Sequence, residues 1–141
     1  MQLWQRLYAM VWLAFFEFVL IPRWLGGFAA PIHALLGVLM LALALRNARS
    51  LAALPVPARL KRISRATANL VIGQAVLGAG LGVMLYTGLF SRAYTWVDIP
   101  HLVLACAILA QTGSLATSYD MWEDRECVDK ERGTTDPPPV V

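Results

Sequence analysis

Charged side chains are scarce in this sequence: of its 141 residues 15% are charged, whereas 58% are hydrophobic. The mean hydropathy is +0.58. A helix that crosses a bilayer needs roughly 20 consecutive, mainly apolar residues, and four such runs occur, at about 3–21, 28–45, 68–90 and 99–115. A soluble domain of this size would interrupt its apolar runs more often. We therefore predict an all-α integral membrane protein of the cell membrane, whose residues 1–119 form a four-helix up-down bundle.

Cysteine is almost absent. The chain has two cysteines, Cys106 within the fourth run and Cys127 near the C-terminus, and no C-x-x-C sequence. Membrane thiol oxidoreductases depend on closely spaced, reactive cysteines. The sequence therefore argues against that class of enzyme.

Acidic residues are missing between the second and third runs, where six bases occur. Cationic loops stay in the cytoplasm, so we predict that residues 46–67 form a loop along the cytoplasmic surface and that both termini are cytoplasmic. The bases suit anionic lipid headgroups, and without a nucleic-acid motif or stacking aromatics they do not indicate nucleic-acid binding. The turns on the outer side carry two bases, Arg23 and Arg92, beside aromatics such as Trp24. The six loop bases are Arg46, Arg49, Arg59, Lys61, Arg62 and Arg65.

The composition changes after Tyr119. Residues 120–141 contain seven acids and three bases and end near Pro137, Pro138 and Pro139. Polar, charged segments of this kind bury too little apolar surface to fold alone. We predict a flexible acidic cytoplasmic tail.

Histidine occurs twice, and both histidines occupy matching places. His33 and His101 each lie just inside the outer end of a predicted helix, after Pro31 and Pro100 respectively. In an up-down bundle the second and fourth helices run in the same direction and face each other diagonally. Taken singly, each histidine also suits the membrane interface. As a pair at one depth, the two imidazoles are predicted to be the axial metal ligands of one haem iron.

Small residues accompany each histidine. Gly37 and Ala105 follow His33 and His101 by four positions, so each lies one helical turn away on the same face. A small residue there leaves room for a flat ligand, and we predict that both line the haem site. In the third helix, Gly78 begins a G-x-x-x-G sequence that suits close packing of a helix or of a planar cofactor.

Other metal sites fit the sequence less well. Structural zinc takes four nitrogen or sulfur ligands and catalytic zinc takes three, whereas the outer half of the bundle offers two histidines. A di-iron carboxylate site would need an E-x-x-H pair, which is absent. Gln74 is expected nearer the cytoplasmic end of the third helix, away from both histidines.

Two carboxylates are candidate catalytic groups. Glu17 lies within the first run, where a carboxylate costs several kcal/mol unless it is paired, protonated or in a wet cavity; pairing with Arg23 is the structural alternative. Asp98 lies three residues before His101. It is predicted to be the N-cap of the fourth helix, and the same carboxylate is the second catalytic candidate.

The third and fourth runs resemble the repeated half of the haem A synthases. The resemblance is carried by Gln74-x-x-x-Gly78-Ala79-x-Leu81-x-Val83, by Thr87-Gly88-Leu89, and by His101-Leu102-x-Leu104-Ala105. It implies a compact, single four-helix half with His33 and His101 as haem ligands, haem b or haem O and A as cofactor, and oxidation of the C8 methyl of haem O to a formyl group. The family has a glutamate three residues before the first histidine of its catalytic half, where this sequence has Ala30.

Three functions follow as alternatives. The first is a haem A synthase-like enzyme, which as a single half is expected to form a homodimer. The second is a b-type cytochrome subunit that transfers electrons with a respiratory-chain partner, and the third is a structural membrane subunit without a cofactor.

Overall fold

The protein is built from four helices. A computed structural model describes residues 2–20, 28–89 and 91–132. They form α1 (Leu3–Leu20), α2 (Ala29–Ala53), α3 (Ala58–Thr87) and α4 (Tyr94–Arg132), with a single 3-10 turn, Ser91–Ala93, immediately before α4. There is no β-strand in these ranges. The predicted all-α four-helix fold is confirmed.

The helices pack in a ring in chain order. α1 contacts α2 and α4, and α3 contacts the same two helices. Consequently α2 and α4 lie diagonally across the bundle, as the up-down topology predicts. This arrangement matters for the site because each diagonal helix carries one histidine.

Three helices, α2, α3 and α4, are long and apolar enough to cross a membrane. They make the protein a transmembrane helical bundle. The predicted first span coincides with α1, whose 18 residues extend about 27 Å. Its insertion, and the cytoplasmic location of both termini, stay predictions. Arg23 and Trp24 of the first outer turn lie outside the described residues.

The prediction that residues 46–67 form a loop is wrong, because most of them are helical; their cytoplasmic location stays a prediction. α2 continues to Ala53 and α3 begins at Ala58, which leaves a link of residues 54–57. The link contains Pro55 and Pro57, and Pro57 occupies the N-cap position of α3. Hydropathy marks the part of a helix that lies in lipid, whereas arginine, lysine, leucine and alanine continue a helix readily beyond it.

The start of α4 also differs from the prediction. The helix begins at Tyr94, so Pro100 lies inside it. Asp98 therefore lies within the helix and is not its N-cap. Pro100 is the seventh residue of α4, beyond the first turn, so its missing N–H costs one hydrogen bond that the helix would otherwise make.

The predicted flexible tail is wrong for residues 120–132, which continue α4 without a break. Trp122 packs against the buried cluster that includes Leu7 of α1 and Leu51 of α2, and the Tyr8 hydroxyl of α1 donates a hydrogen bond to Asp120 Oδ2. These contacts hold the start of the charged segment on the bundle. Residues 133–141, including the three prolines, lie outside the described part of the chain. Cys106 and Cys127 are both free and exposed on α4, about 31 Å apart along the helix.

Two apolar clusters form the interior. One lies at the end of the bundle that holds the α2–α3 link, and the other lies nearer the middle. The first consists of Leu7, Leu51, Val56, Leu60, Leu115, Ala116 and Tyr119. The second consists of Met10, Ala14, Met40, Ala44, Ala68, Val71 and Ile108.

Leu51 provides a test of the first cluster, because its side chain is 0% exposed. The Leu51→Ala variant is expected to lose about 2–5 kcal/mol of unfolding free energy, since the deletion leaves a cavity. Leu35→Ala, at a position that is 69% exposed, is the matched control and is expected to change it by less than about 0.5 kcal/mol. Reversible unfolding in mixed micelles, followed by circular dichroism, measures both. Equal losses would contradict this packing.

Candidate cofactor site

The two histidines meet inside the bundle. His33 comes from α2 and His101 from the diagonal helix α4, and their ring centroids are 6.0 Å apart with an interplanar angle of 74°. Both side chains are half-buried. Pro31 lies in the first turn of α2, where its missing N–H has no partner to lose, and this brings His33 close to the helix start. The structure thus brings the two predicted ligands together.

Gly78 of α3 provides the space for the His101 imidazole. A Cβ atom added to Gly78 would lie 3.1 Å from His101 Cε1, closer than ordinary van der Waals contact. Gly82, the second glycine of the G-x-x-x-G sequence, has nothing within 4 Å of the same added atom. The first glycine therefore allows a histidine of the neighbouring helix to approach the α3 backbone, and the second has no such contact.

Gln74 contacts His101 directly. Its side-chain Nε2 is 3.2 Å from His101 Nε2, and with these atoms paired the amide N–H donates to the ring nitrogen. The expectation that Gln74 lies away from the histidines is wrong. Gln74 and Gly78 are four residues apart on one face of α3, and the long glutamine side chain extends along that face to the imidazole.

Glu17 lies on the α2 side of the cluster. Its Oε1 is 3.7 Å from the position of a Cβ added to Gly37, and Gly37 is one turn beyond His33. A side chain as small as alanine at this position would make ordinary van der Waals contact with the carboxyl group of α1, so Gly37 places Glu17 beside α2 but is not required to make room for it. Glu17 is half-buried, and the alternative of pairing with Arg23 lies outside the described residues.

The other two predicted site residues, Asp98 and Ala105, both lie on α4. Asp98 is exposed, and Ala105 is half-buried one turn beyond His101. The ring of His101 rests against α3 at Gly78, so Gly78, which the sequence did not assign to His101, occupies the place expected for Ala105.

Buried polar atoms without a hydrogen-bond partner fall into two groups. One group contains Glu17 Oε1, His33 Nδ1, Gln74 Oε1 and His101 Nδ1, so that each helix contributes one side chain. We call these four residues the polar cluster. The second group, Arg6 Nε, Asn47 Oδ1 and Ser64 Oγ, lies nearer the α2–α3 link, where Arg6 donates to Ser50 Oγ at 3.1 Å. Unpaired polar groups cost free energy when they are buried, so the cluster is suited to a ligand.

The polar cluster fits a haem in the number and type of its donors. Among residues 2–20, 28–89 and 91–132, no group of three or more His, Cys, Asp or Glu side chains is placed to hold a metal ion. A zinc site takes three or four protein ligands, whereas a haem brings four ligands of the iron with it and takes axial ligands from the protein. Two imidazoles supply that number.

The separation of the two imidazole rings is also compatible with ligation of one metal by both. Two imidazoles bonded to one metal at about 2 Å each have centroids roughly 6 Å apart, and the observed value is 6.0 Å. Edge-to-face packing of two rings covers about 4.5–7 Å, so the separation permits a shared metal without requiring one. The Nε2 atom of His101 is already paired with Gln74, and ligation through that atom requires the amide to withdraw.

No protein-family model, curated protein or solved structure matches the chain. The resemblance to the haem A synthases therefore stays an expectation that rests on the residues of α3 and α4. The contacts of His33, His101, Gln74 and Glu17 do not depend on that resemblance.

Proposed function

We propose that this chain is a haem-binding membrane protein in which His33 and His101 are the two axial ligands of one haem iron. The observation that carries the proposal is the 6.0 Å separation of the two imidazoles, which come from diagonal helices of a transmembrane bundle. As the reaction we propose oxidation of the C8 methyl of haem O to a formyl group, as in the haem A synthases. With water as the source of the formyl oxygen, this step releases four protons and four electrons, so it also requires an external electron acceptor such as a respiratory-chain partner.

The residues of such a site would have different roles. His33 and His101 would hold the haem, Gly78 makes room for one imidazole, and Gln74 contacts the same ring. When bound, the haem iron supplies oxidation chemistry. Glu17 is the carboxyl group of the polar cluster, and its buried Oε1 has no hydrogen-bond partner among residues 2–20, 28–89 and 91–132. It is therefore the group that we propose holds or accepts a proton during turnover.

Absorption spectroscopy of the purified protein tests the proposal. A Soret band, with pyridine haemochrome analysis to identify the haem, is the expected result, and cells that make haem O are expected to accumulate haem A when they express the chain. Protein that is folded but has no Soret band after expression with ample haem would contradict haem binding. The third alternative, a structural subunit, would then remain.

Two matched substitutions test the role of Glu17. The Glu17→Gln variant is expected to keep the haem spectrum and to lose haem A formation at least about 100-fold, since general acid–base groups contribute about 10²–10⁴-fold. Glu126→Gln, the same chemical change at an exposed position of α4 outside the polar cluster, is expected to keep both. Haem extraction and chromatography of the membranes measure the products. Equal activity of the Glu17→Gln variant and the wild type would exclude Glu17 as the proton carrier.

A b-type cytochrome is the second candidate function. It is favoured by Ala30, which replaces the glutamate of the haem A synthases, together with the exposed position of Asp98. This function predicts a reversible haem b midpoint potential, no haem A, and co-purification with a respiratory oxidase. Haem A formation by the purified chain would exclude it.

The proposed assembly follows from the number of ligands. One chain has two histidines and hence one pair of axial ligands. An enzyme that needs a substrate haem and a second haem b would require two copies, so we propose a homodimer in the cell membrane. Native mass measurement with haem quantification tests this, because one haem in a monomer would contradict it.

A further inference from the structure

We infer that Gln74 is a positioning residue that holds the His101 imidazole through Nε2 while the site has no haem, and that it withdraws when iron takes that nitrogen. The inference rests on the proposed haem function and assigns a role to a residue that the function does not otherwise use. It concerns an exchange of hydrogen-bond partners, with no covalent change in Gln74.

The side-chain amide of Gln74 needs a hydrogen-bond partner. The residue lies within α3, one of the helices long and apolar enough to span a membrane. A side-chain amide buried in such a helix costs free energy unless it is hydrogen-bonded. The partner that the structure provides is His101 Nε2, at 3.2 Å, and the amide oxygen of Gln74 has none.

The hydrogen bond with Gln74 determines which nitrogen of the His101 imidazole carries the proton. A neutral imidazole has one nitrogen that carries a proton and one that accepts a hydrogen bond or binds a metal. The amide N–H of Gln74 donates to Nε2, which places the ring proton on Nδ1. His101 Nδ1 is buried and unpaired. The nitrogen available for iron is thus the one that Gln74 occupies.

Two contacts with α3 keep the His101 ring in place. Gly78, one turn beyond Gln74 on the same face of α3, lies directly beneath His101 Cε1. The ring is therefore held at two points, by the α3 backbone at Gly78 and by the amide of Gln74. Iron at Nε2 replaces the second of these contacts, while the first can persist.

Removal of the competing amide gives a prediction with a definite sign. The Gln74→Leu variant is expected to bind haem about two- to tenfold more tightly than the wild type, because a net hydrogen bond no longer has to be broken. Gln74→Asn, whose shorter side chain retains an amide, is expected to behave similarly. Gln111→Leu, the same chemical change on α4 about 15 Å along the helix from His101, is the control and is expected to leave the affinity unchanged.

Two measurements on full-length protein in detergent test the inference. Haemin titration followed by absorbance gives the affinities, and histidine-selective ¹⁵N NMR of the haem-free protein reports the Nε2 hydrogen bond and the tautomer of His101. Tighter binding by both Gln74 variants, with loss of the wild-type ¹⁵N signature, supports the exchange. Unchanged or weaker binding overturns it, and weaker binding would mean that Gln74 instead supports His101 as an outer partner of a bound haem.

Failure of the proposed function looks different. If the wild type binds no haem but its ¹⁵N spectrum shows the Gln74–His101 hydrogen bond, the haem assignment falls and the exchange falls with it. If the wild type binds haem and the Gln74 variants match it, only the role of Gln74 is lost.

Discussion

Alanine at both His33 and His101 is expected to abolish haem binding, with a loss of affinity of more than about 100-fold, because even outer partners of metal ligands contribute about 10–100-fold. Each single variant is expected to lose the six-coordinate, low-spin spectrum and to retain weaker five-coordinate binding. The reason is that the two rings are 6.0 Å apart on different helices, so that neither can replace the other.

Haemin titration and the positions of the visible absorption bands measure this effect. Gln111→Leu serves as a control for a polar-to-apolar change on α4 outside the polar cluster. Wild-type affinity and spectrum in the double variant would show that any bound haem lies elsewhere.

Valine at Gly78 is expected to have the second largest effect. A Cβ at this position already lies 3.1 Å from His101 Cε1, and the two methyl groups of valine would occupy the volume of the ring. The imidazole must then move away from α3, which displaces the proposed ligand from its position opposite His33. We expect a loss of haem affinity on the order of 100-fold, comparable to that of removing one ligand.

Gly82→Val is the matched control, because an added Cβ at Gly82 meets nothing within 4 Å. The two variants make the same change in helix propensity one turn apart in one helix. The ratio of their haem affinities therefore reports the contact with His101, and thermal unfolding checks that both are folded. Equal haem affinities of the two variants would contradict the proposal that Gly78 provides the space for the His101 imidazole.

The sequence was sufficient to predict the bundle and the meeting of the two histidines. Apolar runs of bilayer length define the helices, and alternating helix direction puts His33 and His101 at one depth on diagonal helices. Those inferences depend on topology and on the 1.5 Å rise of a helix. They need no knowledge of side-chain conformation.

Gln74 was misplaced because its contact depends on quantities that hydropathy does not contain. The relative register of α3 and α4, and the direction in which a long side chain extends, decide whether it meets His101. One signal is present in the sequence: a glutamine in an apolar span needs a polar partner, and the N-terminal part of α4 offers one at His101.

The helix ends were misplaced for a different reason. Hydropathy falls where the chain leaves the lipid, but α2 and α4 continue to Ala53 and Arg132. α4 is therefore about 58 Å long, whereas the hydrocarbon core is about 30 Å thick. Asp98 and Pro100 are typical of a helix start, but both lie inside α4, which begins at Tyr94.

The distribution of the polar cluster over all four helices has a consequence for biosynthesis. Glu17 and His33 belong to the first hairpin, and Gln74 and His101 to the second, so neither hairpin alone holds a complete set. Since α4 is synthesised after the other three helices, a nascent chain that still lacks it has only one imidazole of the pair. Binding of the proposed haem by both histidines therefore has to await the synthesis of α4 and the docking of the two hairpins.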